Sequence, residues 1–417
     1  MKIQRHKYLA QLESMMHTDF VKIITGIRRC GKSYLLFTLF TDFLLERGVD
    51  ASHIIKVSLD SFSNRKLRKP EELYSFLDSQ VKDSEMYYFL LDEIQLVPDF
   101  AEILNEFLRR GNVDLYVTGS NAKLLSKDII TEFRGRGYEI KMYPLAFSEY
   151  MSAFDGTIQK GLDQYMVYGG LPQLFDFPTE EQKSQFLKTL FNETYLRDIK
   201  ERYAIRNDDD LEELMDLVSS NISCLTNPNK LASTFKSVKK SDISYETVKK
   251  YLEYLEDAFI IKKATRYDIK GKKYIGTPFK YYFADLGLRN ARLNFRQIER
   301  THLMENLIYN ELLYRGFNVD VGVVPVRSVN SEGKQQRTQL EIDFVCNQGS
   351  KRYYVQSAYS LPTPDKVEQE EASLRKAGDF FKRIVVTGDD IVISRNEYGI
   401  TTMSIYDFLL NENSLEL

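Results

Sequence analysis

The sequence predicts an α/β fold: a helix-covered parallel sheet in the N-terminal third, then a helical stretch, then mixed α and β. Three observations carry this. Between residues 20 and 118, short apolar runs alternate with stretches whose apolar residues recur at helical spacing, the pattern of strands joined by crossover helices. One run, YYFLL at 87–91, is apolar without interruption and too short for a helix, as expected of a strand covered on both faces. After Pro144 the pattern turns mostly helical, and from Glu305 onward it mixes again.

In order, FVKIIT (20–25) reads as a strand ending in a glycine-rich turn. Residues 33–43 follow as a helix with Leu35, Leu36, Leu39 and Phe40 on one side. HIIKVSL (53–59) is a second strand, and 71–80 a helix with Leu73, Phe76 and Leu77 as its stripe. The apolar strand at 87–91, a helix over 100–109 and a strand over 113–118 complete the sheet. Gly169-Gly170-Leu171-Pro172 interrupts the helical region, and the acidic NDDD at 207–210 marks a boundary or a helix start. From 210 to 283 the order is helix, helix, long helix and a lysine-rich hairpin; 326–339 is the most loop-like stretch.

A chain of 417 residues exceeds a single core. Its net charge of −3 provides no whole-protein attraction to DNA or membranes. Cys30, Cys224 and Cys346 lie far apart with no CxxC pair, which suits reduced thiols in the cytoplasm. The four histidines are too scattered for a zinc motif. No apolar h-region opens the chain and no run is long enough to cross a bilayer, so the expectation is a cytoplasmic protein that does not engage the membrane.

The motif with the most chemistry is Gly26-Ile27-Arg28-Arg29-Cys30-Gly31-Lys32-Ser33, a full G-x-x-x-x-G-K-[ST] match between strand and helix. Glycines let backbone N–H groups wrap phosphates, and the following helix aims its positive end at them. Lys32 reaches the β- and γ-phosphates of ATP, and the Ser33 hydroxyl serves Mg²⁺. Asp92 and Glu93 leave the buried strand at its C-terminal end, where ligands sit in open α/β sheets. Asp92 would hold Mg²⁺ through water; Glu93 would orient or deprotonate the attacking water. After the strand at 113–118, Ser120 or Asn121 could contact the γ-phosphate or that water, and either also suits a turn. In FRGRG, Arg134 or Arg136 could neutralise the transferring phosphoryl group, in cis or across a subunit contact, which brings in a homo-oligomer.

At this point GIRRCGKSYLL, YYFLLDEIQ, LYVTGSNAKLLS, FRGRGYEIKMYPLAFSEY and YGGLPQLF together resemble the AAA-type ATPases abundant in bacteria and archaea. The resemblance implies Walker A at 26–33, the end of Walker B at 90–93, a sensor-1 region at Ser120 and Asn121, and Arg136 as the arginine finger. YYFADLGLRNA, ENLIYNELLYRG and EIDFVCNQGSKRYYVQSAYSL resemble the C-terminal part of the same relatives, a winged helix followed by a restriction-endonuclease-like fold. The expected organisation is therefore a P-loop ATPase core at 1–155, a helical lid at 156–209, a winged-helix-like module at 210–285 and a degenerate PD-(D/E)xK nuclease-like domain at 286–417.

Two features of the second half bear on partners. From 230 to 280 there are thirteen basic and six acidic residues, a local charge of +7. A helix over 244–258 with Val248, Leu252 and Leu255 on its buried side presents Tyr245, Thr247 and Lys249 to a DNA groove, and 262–274 reads as a wing. The nuclease-like arrangement has Glu305 and Asp343, but its last element reads Gln356-Ser357-Ala358. An amide replaces a carboxylate and alanine replaces the lysine, so cleavage is not expected; Lys351 and Lys366 are the candidates to stand in. The leading function is ATP hydrolysis with Mg²⁺, coupled to conformational change in the C-terminal half and acting on a protein partner that the sequence does not name. The contrasting readings are an ATP-gated nuclease and a nucleotide-responsive DNA-binding regulator with little turnover.

Overall fold

The structure, a computed structural model, describes residues 2–119, 133, 135–205, 208–239, 243–329 and 335–417. They form two compact units. Unit 1 is Met1–Pro144 with Leu171–Gln173 and Asp257–Phe259; unit 2 is Leu145–Gly170, Leu174–Glu256 and Ile260–Leu417.

Unit 1 is built on five strands: β1 Val21–Thr25, β2 Ile54–Ser58, β3 Tyr87–Asp92, β4 Val113–Gly119 and β5 Gly137–Lys141. All pair in parallel, in the order β2-β3-β4-β1-β5. Every residue of β1, β3 and β4 is buried, as the uninterrupted apolar runs require of central strands. Helices Pro70–Gln80 and Phe100–Leu108 cover a face through Leu73, Leu77, Leu104 and Phe107. β5 was not evident in the sequence. Only Ile140 of its residues is buried, and GYEIK is too polar to stand out from the basic residues before it.

The order has a geometric consequence. β1 connects leftward past β4 and β3 to β2, whereas its neighbour β4 connects rightward past β1 to β5. Adjacent strands with oppositely directed connections open a crevice at their C-terminal ends, the site of ligands in such sheets.

β1 buries a charge. Lys22 is fully enclosed and pairs with Asp114 of β4, which also accepts from the Tyr116 hydroxyl at 2.8 Å and the His17 N–H at 3.0 Å. Burial lowers the Lys22 ammonium below the usual lysine range, and the Asp114 carboxylate opposes that. The pair lies toward the N-terminal ends of the strands, away from the crevice.

Unit 2 carries helices Ile158–Tyr168, Glu180–Thr189, Arg197–Tyr203, Asp208–Ser220, Pro228–Lys239, Tyr245–Asp257, Arg300–Tyr314 and Pro364–Arg375. The NDDD stretch is a helix start, and Ser244 caps Tyr245–Asp257, its hydroxyl accepting from the Thr247 N–H at 3.1 Å. Val248, Leu252 and Leu255 are buried as their spacing requires. Eight strands form one mixed sheet: β6 Ile261–Asp268, β7 Lys273–Phe283, β8 Asn318–Val329, β9 Gln335–Gln348, β10 Lys351–Ala358, β11 Lys382–Thr387, β12 Ser394–Arg395 and β13 Ile400–Ser404. Their order is β12-β13-β11-β10-β9-β8-β6-β7. The lysine-rich hairpin forms as β6 and β7, and it is an edge of this sheet because β6 pairs in parallel with β8 over Arg266–Asp268.

The stretch read as loop-like, 326–339, is largely strand. β8 runs to Val329 and β9 begins at Gln335, with Val326 opposite Thr338. Polar side chains hid a ladder held by backbone hydrogen bonds.

The glycine-rich break and the FADLGL segment meet. Gly170 donates its N–H to Asp285 at 2.7 Å, and Asp285 also caps helix Leu286–Arg292 through the Leu288 N–H at 3.0 Å. A Cβ on Gly169, whose φ is +79°, would fall 2.2 Å from the same carboxylate.

Candidate nucleotide-binding site

The turn after β1 follows from close approach of backbones. Gly26 has φ +148°, and a Cβ there would lie 2.1 Å from the Met142 carbonyl oxygen. That carbonyl cannot withdraw, because Met142 donates its N–H to Thr25 at 2.7 Å at the end of the β1–β5 ladder. Gly31, at φ +102°, turns the chain into the helix that begins with Lys32–Tyr34. The buried Lys32 ammonium donates to the carbonyls of Gly26 (2.9 Å) and Ile27 (3.1 Å), so it sits inside the curve of the loop. Ser33 is exposed at the start of the helix.

β3 delivers Asp92, which is 3% exposed, to the same edge of the sheet. The hydroxyls of Thr118 and Ser33 both hydrogen-bond it. Burial raises the Asp92 carboxyl above the usual range; the two hydroxyls act against this and Glu93 adds to it. Glu93 takes the left-handed conformation, φ +55°, donates its N–H to the Thr118 hydroxyl at 3.1 Å, and accepts from the Gln95 amide. A non-glycine residue in this region costs about 1–2 kcal/mol, a strain concentrated at functional sites. Thr118 thus touches both members of the acidic pair. Sequence reasoning passed over it because it looked beyond the end of β4 for the polar contact; a hydroxyl as the last side chain of a buried apolar strand was the available signal.

Ser33 and Asp92 offer hard oxygen donors side by side, a set that suits Mg²⁺ completed by phosphate oxygens and water. Among the described residues, no group of three or more His, Cys, Asp and Glu is arranged to hold a metal by itself.

Residues 18–151 match the model of the AAA domain, and residues 159–299 match that of a domain of unknown function, DUF8612. An uncharacterized protein of Haemophilus influenzae is 33% identical over 414 residues, covering 98% of each chain. The chain belongs to the same family as that protein. An uncharacterized protein of Methanocaldococcus jannaschii is 28% identical over 416 residues, covering 95% of this chain and 87% of its own. In fold, the chain resembles a Walker-type ATPase of Pyrococcus abyssi, with TM-score 0.51 and 16% identity over 70% of this chain and 96% of that one. No helix among the described residues is long and apolar enough to cross a membrane.

Arg5, N-terminal to the residues that match the AAA domain, braces the loop from outside. It is 2% exposed and donates to the carbonyls of Cys30 (3.3 Å) and Tyr143 (2.7 Å). Cys30 is itself buried, its thiol facing the Met142 carbonyl at 3.8 Å. Arg28 and Arg29 belong to the loop, Arg29 at φ +64°. Arg136 lies elsewhere. It immediately precedes β5, whose first residue pairs with Val21, at the edge of the sheet opposite the loop. The five residues of β1 separate the two edges by about 16 Å. Ser120, Asn121 and Arg134 fall outside the described residues.

Unit 2 holds a second ionic cluster. The Lys280 ammonium, on β7, lies 2.8 Å from Glu305, 2.8 Å from Glu341 and 3.5 Å from Asp343. Glu305 also accepts from the Tyr282 hydroxyl at 2.7 Å. Asp343 accepts from the Ser357 N–H at 2.9 Å, and its own N–H reaches the Gln356 amide oxygen at 3.3 Å. The ammonium among these carboxylates is thus that of Lys280, a residue the sequence did not single out for this place. Lys280 stands 76 residues before Gln356, on another strand, invisible to local spacing. Lys351 and Lys366 are not the stand-ins: they pair with Glu416 and Glu370, each at 2.6 Å. Burial alone would lower the Lys280 ammonium, but Glu305, Asp343 and Glu341 outweigh it and hold it well above the lysine range. Burial and the Glu305 charge push Asp343 up to about 8, against the pull of Lys280 and the Ser357 N–H.

Proposed function

We propose that unit 1 binds ATP with Mg²⁺ and hydrolyses it, and that hydrolysis drives a conformational change in the C-terminal domains. The observation that carries this is the convergence of Lys32, Ser33, Asp92 and Thr118 at the C-terminal ends of β1, β3 and β4. Backbone N–H groups of 26–33 and the start of the helix bind the phosphates. Lys32 exchanges its two loop carbonyls for phosphate oxygens. Ser33 and Asp92 hold the Mg²⁺, which when bound neutralises charge on the phosphates. Thr118 steadies Asp92 in its ionised form and fixes the backbone of Glu93, whose carboxylate orients the attacking water or takes its proton. The likeness of fold to a Walker-type ATPase supports the same reading. Ser120 and Asn121 remain the candidates for contact with the γ-phosphate. Arg136 is too far from its own loop to act in cis, so its role as a finger requires a neighbouring copy in a homo-oligomer; Arg134 is the alternative.

The test is a pair of variants. Lys32→Ala should remove most ATP affinity by calorimetry. Glu93→Gln should keep binding and slow hydrolysis about 10²- to 10⁴-fold. Unchanged affinity in the first, or unchanged turnover in the second with Asp92→Asn inactive, would overturn the roles.

A second reading has its own support. Segment 230–280 carries +7, and Tyr245, on the helix Tyr245–Asp257, is 40% exposed. Contact of Tyr245, Thr247 and Lys249 with DNA would make the chain a nucleotide-responsive DNA-binding protein, read out as affinity that falls with salt.

A further inference from the structure

We propose that a crevice between β6 and β8 in unit 2 binds a nucleobase–phosphate unit of single-stranded nucleic acid. The crevice arises from the sheet itself. β6 and β8 pair only over Arg266–Asp268 and Val321–Val323, and before that stretch the two strands part. The space between them is a cavity of about 650 Å³. β6 contributes Lys262, Lys263 and Tyr267, β7 contributes Tyr274, β8 contributes Asp320 and β10 contributes Arg352.

Among the described residues, the cations of this wall lack a direct ion pair. None of Lys262, Lys263 and Arg352 has a carboxylate within ion-pair distance among the described residues. The nearest partners of two of them are neutral: Lys263 lies 4.1 Å from the centre of the Phe279 ring, and Arg352 donates to the Asn347 amide oxygen at 2.7 Å. The single carboxylate, Asp320, is 8% exposed and already accepts from the Thr265 hydroxyl (2.7 Å) and the Tyr274 hydroxyl (3.2 Å). Cations on the wall, with its one lining carboxylate already occupied, favour an anion.

The aromatic groups say which anion. Tyr274 is 66% exposed, a large ring left in water, and packs edge-on against Tyr267 with centroids 5.4 Å apart. An exposed ring beside unpaired cations stacks a base while the cations hold its phosphates. A cavity of this volume takes a nucleotide-sized group, not a duplex. The inference is independent of the ATP site and extends the nucleic-acid reading of the basic segment, with which it shares Lys262 and Lys263; Arg352 lies outside that segment.

The experiment measures anisotropy of a labelled oligothymidylate with the full chain, ADP present throughout, between about 50 and 200 mM salt. Lys262→Glu/Lys263→Glu should weaken binding at least ten-fold and flatten the salt slope by about 1.4, the value for two phosphates on a single strand. Tyr274→Ala should weaken it about ten-fold with the slope unchanged, and Tyr274→Phe should bind like the wild type. Competition by thymidine monophosphate at matched concentration would identify a free nucleotide as the source of the same chemistry; competition only by oligonucleotide would identify a strand. Wild-type binding by both crevice variants, or competition by an oligothymidylate–oligoadenylate duplex equal to that by the single strand, overturns the proposal. Loss of binding in Lys249→Glu, with the crevice variants intact, would leave the helix reading standing and this one refuted.

Discussion

Replacing Lys280 by methionine isolates what a buried ammonium contributes to unit 2. The substitution keeps the apolar stem and deletes the charge. Lys280 is 3% exposed and its carboxylate neighbours Glu305 and Asp343 are 8% and 7% exposed, so water cannot replace the lost partner. Breaking a buried pair from one side costs about 3–5 kcal/mol, because the remaining charges stay desolvated and uncompensated. The cost should depend on pH. In the folded wild type the Asp343 carboxyl holds its proton up to about 8, whereas an unfolded aspartate releases it near 3.9. A carboxyl raised in this way contributes stability that is complete below its unfolded pKa and lost as pH climbs through 8. Without Lys280 the carboxyls hold protons more tightly still, so the slope steepens and continues above 8. The variant should therefore lose about 3–5 kcal/mol at pH 8 and clearly less at pH 5, where protonation neutralises the cluster. Urea unfolding followed by far-UV circular dichroism at the two pH values measures this; with no tryptophan in the chain, tyrosine fluorescence is the second probe. A loss below about 1 kcal/mol at pH 8, or one that grows toward acid, would refute the picture of a buried cluster neutralised by Lys280.

Two further outcomes are expected. Thr118→Val preserves shape but leaves the Glu93 N–H without its hydroxyl and Asp92 with only that of Ser33, so ATP turnover should fall about ten- to hundred-fold with little change in the melting temperature; wild-type kcat would reject Thr118 as a positioning residue. The Lys280 cluster should not cleave DNA or RNA with Mg²⁺ or Mn²⁺, because an ammonium stands between the carboxylates and Gln356 supplies only an amide. Cutting of supercoiled DNA that disappears in Asp343→Ala would show otherwise.

The division between what was legible and what was not follows the range of the interactions. Sequence by itself determined the parallel core, because strands buried on both faces must be continuously apolar, and YYFLL can be little else. It also marked the glycine-rich loop at 26–33 and the acidic pair as candidates, since those residues lie within a few positions of one another and their order is their geometry. Only the tertiary structure decided what sits beside them. Gly26 is required by the Met142 carbonyl, 116 residues away, and the loop is braced by Arg5 from the other side. Asp92 is governed by Thr118 across a strand pair. The mostly exposed residues of GYEIK became a fifth strand only once β1 offered it an edge. In unit 2, Lys280 of β7 meets Asp343 of β9, and the described residues of the polar stretch 326–339 pair as antiparallel strands through a backbone ladder. Local spacing records which chemistry a chain can present; contacts between strands far apart in sequence decide which charges meet, and those depend on burial and register that no single segment encodes.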